Sequence, residues 1–180
     1  DDEAITDYRS TPVSRKMGHF MFKINKSRIS SAISSKATSV IAYGGRLTEV
    51  NMVFSVAGST GSGMFIDVAY LLTEIYPSHT PVAHVITPGV FKTMPSSSHV
   101  DVNGSASLLE LDYLMSLNIG DYPVVLNYMN GDKREISHQP FASVLVYDNI
   151  SSIGAVCHDI DHMVDIVVSS LMLHAFRLHN

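Results

Sequence analysis

The chain has no tryptophan and a single cysteine, Cys157, in 180 residues. One thiol cannot close an intrachain disulfide. That excludes the disulfide-stapled secreted scaffolds and makes a reducing, cytoplasmic setting the expectation. No Cys-centred motif surrounds Cys157, so it reads as a small buried hydrophobe. Charge is sparse: Asp, Glu, Lys and Arg make up 16% of the residues, and mean hydropathy is +0.16. Much of the chain is therefore expected inside, and its length suits one globular domain with a real core. No apolar run reaches the length of a membrane-spanning helix, so no membrane segment is expected. Acid is missing from residues 8–46, which carry eight basic residues: Arg9, Arg15, Lys16, Lys23, Lys26, Arg28, Lys36 and Arg46. Residues 47–180 carry four Lys or Arg against thirteen Asp or Glu, for a net charge of −5 overall. Most of the basic stretch reads as a solvated face, with Arg15 and Lys16 the residues expected to meet anions. It lacks interleaved aromatics at stacking positions, so no nucleic-acid partner is expected.

What is present is an alternation of strands and helices. "YRSTPVSRK" (8–16) reads as irregular. Residues 17–35 read as a helix with Phe20, Met21, Ile24, Ile29 and Ile33 on its apolar side, and "SKATSVIAYGG" is ambiguous. Residues 51–57 form a buried strand, 58–63 a loop, and 63–76 a helix apolar nearly all round, stopped by Pro77. A strand follows at 81–89, a polar loop at 90–104, and a helix at 105–117 with Leu108, Leu111, Leu114 and Met115 inward. Residues 123–137 read as a hairpin turning at Asn130-Gly131, because both turn positions need positive φ. A strand at 141–148 and a long helix at 158–176 complete the order. In that helix Ile160, Met163, Val164, Val167, Val168, Leu171 and Met172 keep helical spacing. Alternation of this kind implies an α/β fold, a parallel, Rossmann-like sheet flanked by helices on both faces.

The densest signal is "VFSVAGSTGSGMFIDVAYLL", 53–72. A buried strand, a glycine-rich turn and a helix start make an anion site. Backbone N–H groups point outward, and the helix dipole adds positive potential. Glycine lets the backbone approach phosphate oxygens, and Thr60 and Ser62 add hydroxyls. The plain alternative is a tight turn with small residues for packing. No Gly-Lys-Ser/Thr follows, which excludes a Walker A loop. The glycines at 58, 61 and 63 are spaced G-x-x-G-x-G, not the G-x-G-x-x-G of dinucleotide folds.

"AGSTGSG", Ala57–Gly63, resembles the GGGTGSG signature of the tubulin superfamily and departs from it at Ser59. "VNGSASLLELDYLM" (102–115) followed by "PFASVLVYDN" (140–149) is similar in order and spacing to the family's helix–strand block ending in Asp-Asn. "SRKMGHF", "AGSTGSGMFIDVAYLL" and "VNGSASLLELD" come in the order seen in bacterial tubulin-like proteins, and the resemblance spans about residues 14–170. It implies a GTP-binding fold that assembles head to tail into filaments, GTP or GDP with Mg²⁺ as cofactor, and hydrolysis completed only between subunits. It also implies that Ala57, Gly58, Ser59, Thr60, Gly61, Ser62 and Gly63 wrap the phosphates, and that Asn149 reads the guanine edge. Arg15 and Lys16 would sit in the γ-phosphate loop, and Asp101 or Asn103 near the ribose. The last helix would be the family's central helix, with Asp159 or Asp161 close to the base or capping the helix. The family's first strand would precede residue 1, and its catalytic acidic loop would follow the central helix, so the chain reads as an incomplete view of a single domain. Within it no water-activating carboxylate is identifiable. Residues 1–180 alone are therefore expected not to hydrolyse GTP at a useful rate. A scaffold that keeps the fold without turnover is the alternative, and an unrelated α/β nucleotide enzyme is the third reading.

Two other constellations carry less. His158 and His162 share a helix face at i, i+4, but no third ligand or H-E-x-x-H glutamate accompanies them, so no metal site is expected. Asp67, just after the glycines, reads as a local cap or as facing a neighbouring subunit.

Overall fold

The structure is a computed structural model that describes residues 14–44, 48–92, 97–117, 123–127 and 133–177. Three parallel strands form its centre: β1 (Asn51–Ser55), β2 (Val82–Ile86) and β5 (Ser143–Tyr147), in the order β1-β2-β5. β2 lies between the other two, in register Phe54 to Val85 on one side and Val85 to Val146 on the other. It is buried along its whole length, which is why it has no polar–apolar alternation. α2 (Ser59–Ile75) and α3 (Val100–Met115) cover one face of this sheet, and α4 (Ile160–Arg177) covers the other. The first core joins Phe54, Val56, Phe65, Ala69, Ala83, Val85, Leu111 and Phe141. The second joins Ile86, Val90, Cys157, Met163 and Val167. A hairpin of β3 (Val124–Asn127) and β4 (Lys133–Ile136) seats Ile136 against Tyr70 and Leu114. Its expected turn, Asn130-Gly131, lies outside the described residues.

The helix-flanked parallel sheet agrees with the expectation; several boundaries and faces do not. α1 runs Arg15–Ala42, taking in Arg15 and Lys16 at its start and the ambiguous stretch at its end. Serine and threonine there bond back to the preceding turn, Thr38 to the Ser34 carbonyl and Ser39 to the Ser35 carbonyl. Gly44, at φ 80°, follows the helix end. Of the predicted apolar side of α1, Phe20, Met21 and Ile24 are exposed while Ile29 and Ile33 are half-buried, and Phe22, outside that set, is fully buried. α1 lies alongside α2 through small and polar residues, so periodicity of large apolar residues misidentified its inner face. α3 begins at Val100, not 105, placing Asp101 and Asn103 on a helix and not in a loop. Gly104, which breaks the helical pattern in the sequence, is there because a Cβ would lie 2.3 Å from the Pro88 ring. On α4, Met163 and Val167 face the sheet, while Val164, Val168 and Met172 are exposed.

A polar ring ties α4 to the sheet. His84, fully buried on β2, has Nε2 2.9 Å from Asn51 Oδ1 and Nδ1 2.8 Å from the Tyr147 hydroxyl. With Nε2 donating to the amide oxygen, Nδ1 faces the Tyr147 hydroxyl, which itself donates to Ser170. The Tyr147 hydroxyl is 2.8 Å from Ser170 Oγ on α4. On the other side Asn51 donates to Glu49 at 3.1 Å, and Glu49 lies 2.8 Å from His174 Nε2, one helical turn beyond Ser170. Burial, and secondarily the neighbouring His174, lowers the His84 pKa from its ordinary 6.5, against an opposing pull from Glu49. The unfolded chain therefore binds a proton at this histidine more readily than the folded chain does. Stability should fall as pH drops below that ordinary value. Urea midpoints are expected to decrease between about pH 7.5 and about pH 5.5, and His84→Gln should flatten the slope. An equally steep slope in the variant would assign it to other groups.

Candidate functional site

Among the described residues each of the four α-helices turns its N-terminus to the same edge of the sheet. α2 leaves the C-terminal end of β1 directly. α1 runs parallel to it, with Arg15 beside Ser62, His19 beside Asp67 and Lys26 beside Glu74. α3 also runs parallel, with Asn103 beside Ala57 and Ser107 beside Ser62. α4 starts near Ile86 and ends near Glu49, at the opposite end of the strands. The C-terminal ends of the parallel strands and the positive ends of four helices thus share one edge, where α/β folds hold anionic ligands.

Val56, Ala57 and Gly58 make the turn at that edge, and the chain is already helical at Ser59. The expected loop of 58–63 is therefore mostly the first turns of α2. The first intrahelical bond runs from the Ser62 N–H to the Gly58 carbonyl. The N–H groups of Ser59, Thr60 and Gly61 precede it, and Gly58 as N-cap supplies no side-chain cap. Thr60 is exposed. Ser62 is buried, and its hydroxyl donates to the Gly58 carbonyl. The Ala57 carbonyl accepts from Asn103 Nδ2 at 3.0 Å, and the Ala57 N–H donates to Ser55 Oγ at 3.1 Å, so the turn is pinned from both sides.

The three glycines do different work. A Cβ on Gly61 would sit 2.0 Å from the Ser55 carbonyl oxygen. A Cβ on Gly63 would sit 2.1 Å from the Arg15 carbonyl oxygen, and one on Gly18 of α1 would sit 2.1 Å from the Ser59 carbonyl oxygen. Gly61 and Gly63 are therefore required by packing, as the plain alternative held. Gly58 is not: its φ of −89° and ψ of 174° are open to any residue, and a Cβ there would meet nothing within 4 Å.

The remaining expected site residues fall as follows. Arg15 Nε donates to the Ser62 carbonyl at 3.0 Å, and the guanidinium also pairs with Glu110 of α3. Lys16 is exposed on the first turn of α1. Asp101 forms an exposed ion pair with Lys92 at 3.0 Å, and Asn103 is buried on the Ala57 carbonyl. Asn149 follows β5 at the same edge, beside Gly89 of the 3₁₀ turn Pro88–Phe91. Asp159 caps α4, accepting from the His162 N–H at 2.7 Å. His158 and His162 are both exposed.

Asp67 is neither a surface cap nor a contact for a neighbour. It is 2% exposed, faces α1, and lies 2.5 Å from His19 Nδ1 through Oδ2. Its Oδ1 is buried with no hydrogen-bond partner among the described residues. Desolvation raises its pKa above the ordinary 3.8, and the His19, Lys23 and Lys26 charges oppose the shift. The residues missed by sequence reading are the partners on α1. Gly18 and His19 stand four and five residues into a helix whose apolar face was sought elsewhere. A glycine inside a helical pattern was the available signal, since it often marks close backbone approach.

The chain matches the family model described as "Tubulin like" over residues 13–175, and it belongs to that family. No curated protein and no solved structure matches it.

Removing His19 would leave the Asp67 carboxylate buried without either oxygen bonded. His19→Ala is expected to destabilise by about 3 kcal/mol near neutral pH. Because Asp67 has a raised pKa, it takes up a proton as pH falls and the penalty shrinks, so the deficit should narrow toward acid. Chemical denaturation of both proteins across pH checks this; a deficit that widens in acid would contradict it.

Proposed function

We propose that this edge binds a guanine nucleotide, with its phosphates over the start of α2 and its base near Asn149. Gly58 carries the reading. It is the motif glycine for which the fold gives no reason, and it caps a helix whose leading N–H groups have no intrahelical partner. A ligand approaching the backbone closely gives it one. The phosphates are held by the N–H groups of Ser59, Thr60 and Gly61 with the Thr60 hydroxyl. Ala57, Gly61, Ser62 and Gly63 shape the turn and Asn103 braces it. Arg15 lends its charge from one helix away while bonded to Ser62 and Glu110. Among the described residues no group of three His, Cys, Asp or Glu could hold a metal. Mg²⁺ would accompany the triphosphate, taking phosphate and water oxygens as ligands.

Membership of the tubulin-like family supports two further steps: assembly of copies into filaments, and GTP hydrolysis at the contact between them. We infer the bacterial branch of the family from the order of the three matching segments. Among the described residues no helix is long and apolar enough to cross a membrane. The rival reading is a scaffold that retains the fold without turnover. It is favoured by the engagement of Arg15 and the Ser62 hydroxyl inside the fold.

Nucleotide extracted from the purified protein, followed by titration with GTP and ATP, tests the reading. Bound GDP or GTP is expected. Gly58→Ala should change stability by no more than about 0.5 kcal/mol and weaken GTP binding at least about tenfold, since a new methyl stands where phosphate oxygens approach. Gly63→Ala should instead lower stability, because backbone lies 2.1 Å from its Cβ. An empty protein that binds neither nucleotide leaves the scaffold.

A further inference from the structure

We propose that the outward face of α1 is a peripheral docking surface for an anionic lipid bilayer. Phe20, Met21 and Ile24 enter the headgroup boundary, and Lys16 and Arg28 meet the lipid phosphates and carboxylates. The inference is independent of the nucleotide reading. It begins with how α1 sorts its cations. Its basic residues are Arg15, Lys16, Lys23, Lys26, Arg28 and Lys36, and there is no acid in the 28 residues of the helix. The cations on its inner side are matched by neighbouring helices. Arg15 pairs with Glu110, Lys26 lies 3.7 Å from Glu74, and Lys23 is attracted to Asp67. Lys16, Arg28 and Lys36 are exposed and form no ion pair among the described residues.

The apolar residues are sorted the same way. Phe22 is fully buried, whereas Phe20, Met21 and Ile24 are exposed, Ile24 to 54%. At about 100° per residue, Lys16, Phe20, Ile24, Arg28 and Met21 fall within one arc of about 140°, with Gly18 and Phe22 outside it. The two cations bracket the apolar residues, about 18 Å apart along the axis. Among the described residues α2 is the helix packed along α1, and it lies on the other side. Farther along the same arc stand Ser27, Ser31, Ser35, Thr38 and Ser39, all exposed. Thr38 and Ser39 donate their hydroxyls to carbonyls of their own helix. This half of α1 has no large side chain to insert, and it rests at headgroup level.

Charge alone would suit any polyanion. A nucleic acid calls for cations and stacking rings, and Met21 and Ile24 cannot stack. A protein contact tolerates carboxylates, because the partner can pair them. A surface that is negative everywhere repels them, and a helix wholly without acid matches such a surface. Apolar residues between cations on long stems are the pattern of a helix lying in a membrane interface, where the stems bury and the charges stay in water. A single patch of this size gives weak, reversible attachment.

The test is flotation of the purified protein with vesicles of phosphatidylcholine alone and of phosphatidylcholine with about one third phosphatidylserine. The native chain should bind the anionic vesicles at least about tenfold more tightly, and added salt should weaken that binding. Arg28→Gln should lower the affinity about fivefold, the scale of one cation at an anionic surface, and Ile24→Ser about tenfold. Both positions are exposed, so both variants should keep the native urea midpoint. Leu109→Ser, which removes an exposed leucine from α3, is the control and should leave vesicle binding unchanged. A native chain with no preference for anionic vesicles would overturn the proposal. So would a loss in Leu109→Ser equal to that in Ile24→Ser. Self-association that Ile24→Ser abolishes, without vesicle binding, would also overturn it and assign the face to a second copy of the chain.

Discussion

Everything at the candidate site depends on how closely α1 and α2 approach. Gly18 and Gly63 face each other so tightly that a Cβ on either would strike the other helix's backbone. Backbones this near can be joined only by residues without side chains, which explains glycine at a helix position where it weakens the helix itself. The contact sets the rest of α1. Three residues before Gly18, Arg15 reaches the Ser62 carbonyl and Glu110, linking α1 to both α2 and α3. One residue after it, His19 meets Asp67. Farther along, Lys26 meets Glu74 and the Tyr76 hydroxyl donates to the Ile33 carbonyl. A helix whose large apolar residues Phe20, Met21 and Ile24 lie outside is thus held by these polar groups together with the buried Phe22.

Such a clasp is costly by design. Asp67 is buried with one oxygen unbonded, and desolvation outweighs the attraction of His19 on its pKa. A leucine there would fill the space without that cost. What the carboxylate provides instead is register: His19 can meet it only when Gly18 is seated on Gly63, so polar pairing and steric fit specify one alignment of the two helices. The outcome is a pair of parallel helix starts side by side, with α3 beside them, all at the C-terminal edge of the sheet.

The order of strands and helices was legible because it is written in apolar periodicity and turn residues, which act locally. β1, β2 and β5 lie within their expected ranges, and α2 was expected in the right place but begins at Ser59, not 63. Reading failed where a residue answers to something distant in the chain. Gly104 looked like a loop residue because the Pro88 ring that excludes its side chain is sixteen positions away. The same holds for α1, whose inner face was sought among large apolar residues although its neighbour demanded small ones. The glycine motif was visible, but not the division of labour within it, because Ser55 and Arg15 are what Gly61 and Gly63 avoid. Asn149 was legible as a strand-end amide, but not that its side chain lies where a Cβ on Gly89 would be.

That division of labour also bears on how an anion would be held. Arg15, the cation nearest the motif by contact, is bonded to a carbonyl and a carboxylate, and Asp101 is paired with Lys92. With Arg15 so engaged, the groups that touch the motif directly are backbone N–H groups and helix dipoles that share one direction, and Lys16 stands exposed nearby on the first turn of α1. Dipoles act within about one turn of the helix end, and N–H groups only at hydrogen-bond distance, so neither can attract a ligand that stands off. A site built on them needs close approach far more than a site built on lysine does. On the proposed reading, that is the physical reason for an unsubstituted backbone at Gly58, where a Cβ would meet nothing within 4 Å.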